Sequence, residues 1–303
     1  MVAILTKVSA FILIILLSYG LKQAGFFKEG DFKLISNIVL KITLPCAVIS
    51  NFNKIEVDVA LFGLIGLGVA CNLITIAAGY LAAWRRRPAD KAFNMINYSG
   101  YNIGCFTMPY IQSFLGPTGV VATCLFDAGN SLLCTGATYS MAAAVGQTGE
   151  RSTAAIFLKR MFSSIPMDTY ILMVILAAFR VKLPEAVTAF TDTAGAANAF
   201  LAMMMIGVGF ELHLSRRQML HIGNVLLHRY LIAAAVAWLC YNYAPFDAEI
   251  RKVLTLIAFA PISAVCAIFT AKCHGDVALS CTINSLTIII SVVFMTALMI
   301  ELP

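Results

Sequence analysis

Long apolar runs, separated by short polar connections, recur along the whole chain of 303 residues. A helix that crosses a bilayer needs about 20 predominantly apolar residues, and ten runs approach that length. They predict ten spanning helices, at 3–23, 34–52, 59–84, 92–115, 118–145, 164–181, 187–210, 220–243, 250–271 and 277–300. No stretch is polar enough to form a separate soluble domain. The pattern therefore predicts an all-α polytopic membrane protein.

Two prolines lie inside these apolar runs, and each is followed at a similar distance by Asn-Ser-Leu. Pro109 precedes residues 130–132 and Pro261 precedes residues 284–286, so the prolines are 152 residues apart and the two asparagines 154 residues apart. Proline removes a backbone donor and interrupts a helix. In lipid such a break is tolerated only where protein or water satisfies the freed groups. The pattern predicts that helices four and nine are broken and that their prolines border a solute site.

The spans divide equally between two halves of the chain, with five in residues 1–145 and five in residues 152–303. An odd number of crossings that is repeated in one chain inserts upside down the second time. The halves are thus predicted to be inverted repeats, and broken helices four and nine are expected to cross near the middle of the bilayer. Half-helix ends at such a crossing offer partial charges to a solute.

Composition and charge agree with this prediction and set an orientation. The chain is 60% hydrophobic and 12% charged, whereas a soluble domain carries about 25% charged residues. The connections after the odd-numbered helices and the adjoining helix ends carry 13 lysines and arginines, against 6 on the other face. The positive-inside rule places the richer face in the cytoplasm. We therefore expect a multi-pass protein of the cell (inner) membrane with both termini extracytoplasmic.

Several functional classes are disfavoured by missing motifs. The nine cysteines include no Cys-x-x-Cys pair, which favours reduced packing residues over a metal site. No phosphate-binding loop, His-Glu-x-x-His or Gly-x-Ser-x-Gly motif is present. We expect neither an enzyme nor a bound cofactor, metal or nucleic acid.

Asp127 is the most unusual polar residue inside a span. A charged aspartate at the bilayer centre costs about 2.5–3.5 kcal/mol on insertion scales. Asn130 and Ser131 follow at positions that share its helical face. Asp127 is either a proton carrier close to the substrate or a structural acid bound to interrupted backbone, and both interpretations stay open. Asn284 occupies the matching place in helix ten without an acid, so only one half would handle a proton.

Other polar side chains near the breaks are candidates for binding. Asn97 and Asn102 precede Pro109, and an amide can bind a carboxylate without the desolvation burden of a cation. The alternative is that they join helices to each other. Ser263 follows Pro261, where a hydroxyl can satisfy a freed carbonyl. Arg229 lies inside a helix, as Lys41 does. Each is expected either to extend its charge toward the membrane surface or to attract an anion.

Three segments together resemble a known family. They are Leu-Pro-Cys-Ala at 44–47, Ser-Gly-Tyr-Asn-Ile-Gly-Cys-Phe-Thr-Met-Pro at 99–109 and Ala-Pro-Ile-Ser at 260–263, the last continuing through His-Gly-Asp at 274–276. On these residues the chain resembles the auxin efflux carriers, which include plant PIN-FORMED carriers and bacterial carriers of malonate, malate and similar anions. The long central loop of many plant members is absent, which favours a compact bacterial type.

The resemblance implies a ten-helix fold of inverted repeats, with a scaffold of helices 1, 2, 6 and 7 and a moving transport unit of helices 3–5 and 8–10. In plant members an asparagine upstream of the first crossover proline helps to bind the substrate carboxylate, and Asn102 occupies that position. A second polar position falls near Asp168, where an acid would repel a carboxylate unless it were protonated.

The expected function is a secondary transporter that moves a small organic anion by alternating access, with a proton as the candidate coupling ion. The candidate substrate-binding residues are Asn102, Asn97, Pro109, Pro261, Ser263, Asn130 and Asn284, and the candidate proton-coupling residues are Asp127 and Asp168. A sodium-coupled symporter of bile-acid-transporter-like fold and a non-transporting receptor or channel subunit stay open. The expected partners are the anion and the lipid bilayer, and a homodimer stays open.

Overall fold

The computed structural model describes residues 2–28, 30–148, 164–212, 216 and 218–302. These residues form helices and connections, and no strand occurs among them. The all-α prediction is confirmed. Among the described residues, six helical stretches are long and apolar enough to cross a membrane, namely Ile4–Gln23, Asp31–Phe52, Val59–Ala82, Glu185–Gly209, Met219–Tyr243 and Val277–Glu301.

The helices follow the apolar runs closely. The first half contains α1 (Val2–Gln23), α2 (Asp31–Ile38), α3 (Leu44–Phe52), α4 (Gly63–Ala82), α5 (Pro88–Tyr98), α6 (Met108–Phe114), α7 (Gly116–Leu132) and α8 (Thr138–Gly146). The second half contains α9 (Ile165–Ala178), α10 (Glu185–Ala196), α11 (Asn198–Gly209), α12 (Met219–Tyr243), α13 (Ala248–Ala258), α14 (Val265–Lys272) and α15 (Val277–Glu301). A 3₁₀ turn, Val59–Phe62, precedes α4, and π-helical turns at Val39–Thr43, Ile103–Thr107 and Leu133–Ala137 join α2 to α3, lead into α6 and join α7 to α8.

Each predicted span contains one or two of these α-helices, and most predicted ends agree within a few residues. The count of ten crossings and the inversion of the halves stay predictions, because length and composition identify six crossing helices. Some basic residues that set the predicted orientation lie outside the described residues, namely Arg151, Lys159, Arg160 and Arg217.

The break in the fourth span is not at Pro109, where the sequence predicted it. The chain leaves the helix after Tyr98 and resumes at Ile103, so the interruption is residues 99–102. Pro109 lies in the first turn of α6, directly after the π turn Ile103–Thr107. Pro45 lies in the first turn of α3, directly after the π turn Val39–Thr43. The wider π turn accommodates a ring that would clash with an ordinary α-helical turn, so each proline is absorbed without opening the helix.

The ninth span is broken at its proline, as predicted. Helix α13 ends at Ala258 and α14 begins at Val265, with Pro261 in the segment between them. The two breaks touch, because the Asn102 N–H donates to the Pro261 carbonyl at 2.9 Å. Gly100 adopts φ 75° within the first break, a left-handed conformation that glycine reaches without strain.

Helix packing places the two breaks inside the protein. Helix α1 packs along α11, and α3 packs against α9 and α10, whereas α4, α5, α7 and α8 pack together. Helices α12 and α15 pack beside the broken pair α13 and α14. Glycine permits the closest approach, since a Cβ at Gly68 would collide with the Phe126 carbonyl and a Cβ at Gly129 with the Ile65 carbonyl. Helix α7, which carries Asp127, is thereby held tightly against α4.

Candidate functional site

A cavity of about 1140 Å³ extends from the two breaks toward one end of the molecule. Its inner end is lined by Asn102 of the first break and Ser263 of the second. Its outer end is lined by residues at or near the connections, which are Lys22, Lys28, Ser164 and Glu211. These connections belong to the face that the sequence predicts to be cytoplasmic.

Positive charge predominates in the outer part of this cavity. Lys22, Lys28 and Lys41 line it, whereas Glu211 is the acid found among the lining residues near its outer end. Lys41 belongs to the π turn that precedes α3, and its side chain is exposed. Lys41 therefore lies on the cavity wall, and its role there stays a prediction. Low-dielectric walls lined by one sign of charge concentrate counter-ions, so the cavity favours anions.

Asn102 is held by its backbone and leaves its side chain free. Its N–H donates to Pro261, and its carbonyl accepts from the N–H and the hydroxyl of Thr107, each at 3.1 Å. Within the described part of the chain, no hydrogen bond engages the Asn102 amide group or the Ser263 hydroxyl. Two polar side chains from opposite breaks are thus available to a solute at the inner end of the cavity.

The second half-helices begin next to these side chains. Gly104 belongs to the π turn that follows Asn102, and Ala264 immediately precedes α14, and both line the cavity. The first N–H groups of a helix lack helical acceptors and carry partial positive charge. Their location adds to the preference for an anion.

Asp127 lines the cavity from α7 and is 5% exposed. Tyr170 of α9 donates its hydroxyl to Asp127 Oδ2 at 2.7 Å, and Asn130 donates its amide to Asp127 Oδ1 at 2.7 Å. No lysine or arginine among the described residues forms an ion pair with it. Asp127 is therefore a buried acid that neutral donors hold at the cavity wall.

Asn130 acts mainly on the backbone of the first break. Its amide donates to the Tyr101 carbonyl at 3.0 Å, and its side-chain oxygen accepts from the Tyr101 N–H at 3.1 Å. Asn72 of α4 supports it, donating to Asn130 at 3.0 Å and accepting from the Gly100 N–H at 3.1 Å. These bonds replace those that a continuous helix would supply.

Asn284 has a corresponding contact with the second break. Its amide donates to the Ile262 carbonyl at 2.7 Å, and the Ile262 N–H donates to Thr287 at 3.1 Å. Asn284 also lines the cavity, as Asn130 does. In both halves an asparagine of the helix that follows the broken one satisfies the middle of the break.

Arg229 is the residue whose role the sequence interpretation missed. It is 3% exposed rather than extended to the surface, and its guanidinium donates to the carbonyls of Tyr98 at 2.6 Å, Gly100 at 2.9 Å and Ala260 at 3.0 Å. The guanidinium also lies 5.3 Å from the centre of the Tyr101 ring. One signal was available in the sequence, since Arg229 lies about 15 Å from the nearer end of its helix at 1.5 Å per residue.

Four candidate site residues do not line the cavity. Asn97 is fully buried and bonds Thr270 and Ser280, so it joins α5 to α14 and α15. Pro109 and Pro261 are buried behind the lining. Asp168 is exposed in the first turn of α9, where the helix dipole favours an acid.

The comparison with protein families agrees with this architecture. A family described as membrane transport protein, the group of auxin efflux and PIN-like carriers, matches residues 3–299. This chain belongs to that family. It is therefore a membrane transporter and not an enzyme. No curated protein sequence matches this transporter.

Native cysteines offer a test of the cavity. Cys105, Cys134 and Cys281 line it and are half-buried, whereas Cys71 and Cys124 are buried elsewhere. We expect N-ethylmaleimide to label the three lining cysteines first, because a reagent must reach a thiol to react with it. Mass spectrometry of peptides from the labelled, folded transporter measures the order. Equal labelling of Cys71 or Cys124 would contradict the cavity described above.

Proposed function

We propose that this transporter moves a small organic anion, a carboxylate, across the cell (inner) membrane by alternating access. The observation that carries the proposal is the arrangement at the inner end of the cavity. There the side chains of Asn102 and Ser263, which form no hydrogen bonds with other described residues, lie next to the N-termini of two half-helices. An amide and a hydroxyl donate to a carboxylate without adding a fixed charge. The lysines near the outer end draw anions inward.

Alternating access needs two bodies that move against each other. The helix packing supports a division of the helices into a scaffold and a transport unit. The proposed scaffold is α1–α3 with α9–α11, and the proposed transport unit is α4–α8 with α12–α15. The bond between Tyr170 and Asp127 joins these two bodies directly. The paired roles of Asn130 and Asn284 support an inverted repeat of five helices in residues 1–145 and 152–303.

The position of the cavity supports an orientation of the protein in the membrane. Its outer end lies at the connections that follow α1 and α11. Both belong to the face whose connections and adjoining helix ends carry 13 lysines and arginines. With that face in the cytoplasm, both termini are extracytoplasmic and the described conformation is open to the inside.

Asp127 is the proposed site of proton coupling. It is buried beside the solute path and is held by neutral donors. A buried carboxyl without a cationic partner can hold a proton, which removes the unfavourable charge in a low-dielectric site. Asp168 is exposed and away from the cavity, so we assign the role to Asp127 alone.

Replacing Asn102 by alanine tests the binding site. A hydrogen bond to a charged group contributes about 1.5–3 kcal/mol, so we expect Asn102→Ala to weaken apparent affinity roughly tenfold or more. Uptake of radiolabelled malonate and malate into proteoliposomes provides the measurement. Asn242→Ala is a matched control, because Asn242 is exposed and its amide donates to the Trp238 carbonyl of its own helix.

The same proteoliposomes separate a transporter from a receptor. Counterflow of labelled against unlabelled anion requires a carrier that returns loaded. We expect counterflow in the native transporter and in Asn242→Ala. An unchanged affinity in Asn102→Ala would remove this asparagine from the site, whereas absence of counterflow for every carboxylate tried would refute the proposed substrate class.

A further inference from the structure

A single guanidinium joins the two breaks of the molecule. Arg229 of α12 donates to Tyr98 and Gly100 on the first broken segment and to Ala260 on the second. Since the two segments are distant in sequence and adjacent in space, this side chain fixes their relative position. It is a positioning residue, because it is not among the residues that line the cavity.

Two of the three bonded carbonyls lie at the ends of half-helices. Tyr98 is the last residue of α5, and Ala260 follows the last residue of α13 by two positions. The carbonyl end of a helix carries partial negative charge. In transporters with broken helices, unwound carbonyls and half-helix ends of this kind coordinate a coupling cation such as sodium.

In this protein the Arg229 guanidinium already donates hydrogen bonds to those carbonyls. An arginine side chain remains charged at every physiological pH and donates through a planar array of N–H groups. Its positive charge lies against the carbonyl ends of two half-helices. A sodium ion bound by the same carbonyls would supply positive charge at the same place. The Tyr101 ring lies against the guanidinium and also lines the cavity, so the fixed cation stands next to the solute site without being part of it.

We infer that Arg229 is a built-in cation that takes the place of a coupling sodium ion at the meeting point of the two breaks. Anion transport then needs no sodium. The inference rests on the proposed function for its transport measurements, and a separate labelling measurement does not depend on that function.

The first experiment uses the native transporter. Uptake of labelled malonate and malate into proteoliposomes is compared in sodium and in choline buffers at a fixed membrane potential. We expect equal rates in the two buffers. A requirement for sodium would overturn the inference.

The second experiment removes the built-in charge. We expect Arg229→Ala to lower uptake at least about tenfold, because removal of a buried, bonded charge leaves its partners unsatisfied. Added guanidinium chloride should restore part of the uptake, and sodium should stimulate the remaining uptake, whereas choline should do neither. Arg229→Lys retains a charge and should remain independent of sodium. Arg86→Ala, at an exposed arginine, is the matched control.

A labelling measurement separates this inference from the proposed substrate class. Cys266 is 3% exposed, and its thiol lies 3.2 Å from the Ile96 carbonyl near the first break. Loss of the guanidinium should loosen both breaks and speed the reaction of Cys266 with N-ethylmaleimide, and added guanidinium should slow it again. Cys124, buried in α7, should be unchanged. If folded Arg229→Ala shows no effect of guanidinium on Cys266, the inference is wrong, whatever anion is carried.

Discussion

Replacing Asp127 by asparagine is expected to reduce uptake driven by a proton gradient at least about tenfold, while exchange of anion across the membrane continues. Asparagine matches the shape of a protonated aspartate, and its amide can bond Tyr170 while its oxygen accepts from Asn130. The substituted carrier can therefore bind and move its anion. It cannot release a proton, so the step that resets the empty carrier is lost.

The measurement compares net uptake under an imposed pH gradient with counterflow in the same proteoliposomes. Asp168→Asn is the matched control, because it removes the same charge from an exposed position outside the cavity, and it should leave both rates unchanged. Net uptake that is unaffected in Asp127→Asn would contradict proton coupling at this residue. A loss of counterflow together with net uptake would assign Asp127 to binding or structure instead.

Replacing Asn130 by alanine is expected to destabilise the protein more than the same change at Asn284. The Asn130 side chain satisfies the N–H and the carbonyl of Tyr101 and also bonds Asn72 and Asp127. A buried polar group that loses its partner costs about 1–3 kcal/mol, and alanine at 130 leaves several such groups at once. The thermal unfolding midpoint in detergent should fall clearly.

Asn284→Ala provides the comparison within the same molecule. It removes one bond, to the Ile262 carbonyl, while Thr287 continues to accept from the Ile262 N–H. Its unfolding midpoint should fall by less than that of Asn130→Ala. Equal midpoints for the two variants would show that the network around Asn130 contributes no more than a single hydrogen bond.

Much of the helical layout could be predicted from apolar run length alone, because lipid requires long stretches of uninterrupted apolar helix. The location of the first break could not. A proline predicts an interruption, but the π turns before Pro45 and Pro109 accommodate the ring, and the chain opens instead at residues 99–102. A π turn depends on packing around the helix and has no clear pattern in one sequence.

The candidate site was only partly predictable for a related reason. Asn102 and Asp127 were identified because polar groups inside apolar runs are costly, and both line the cavity. The same argument could not separate Asn97, which joins three helices, from Asn102, whose amide forms no hydrogen bond with any other described residue. Arg229 was interpreted from its own helix, whereas its partners lie on two other segments of the chain. Only the three-dimensional arrangement relates them.

The lysines along the outer cavity have a practical consequence for anyone who measures this carrier. Attraction between their charges and an approaching anion weakens with dissolved electrolyte, over a distance of about 8 Å at physiological ionic strength. Lys28 and Lys41 are exposed, so mobile ions reach them readily. Apparent affinities obtained in dilute and in concentrated buffers will differ for the same variant, and comparisons among variants are meaningful when the background electrolyte is held constant.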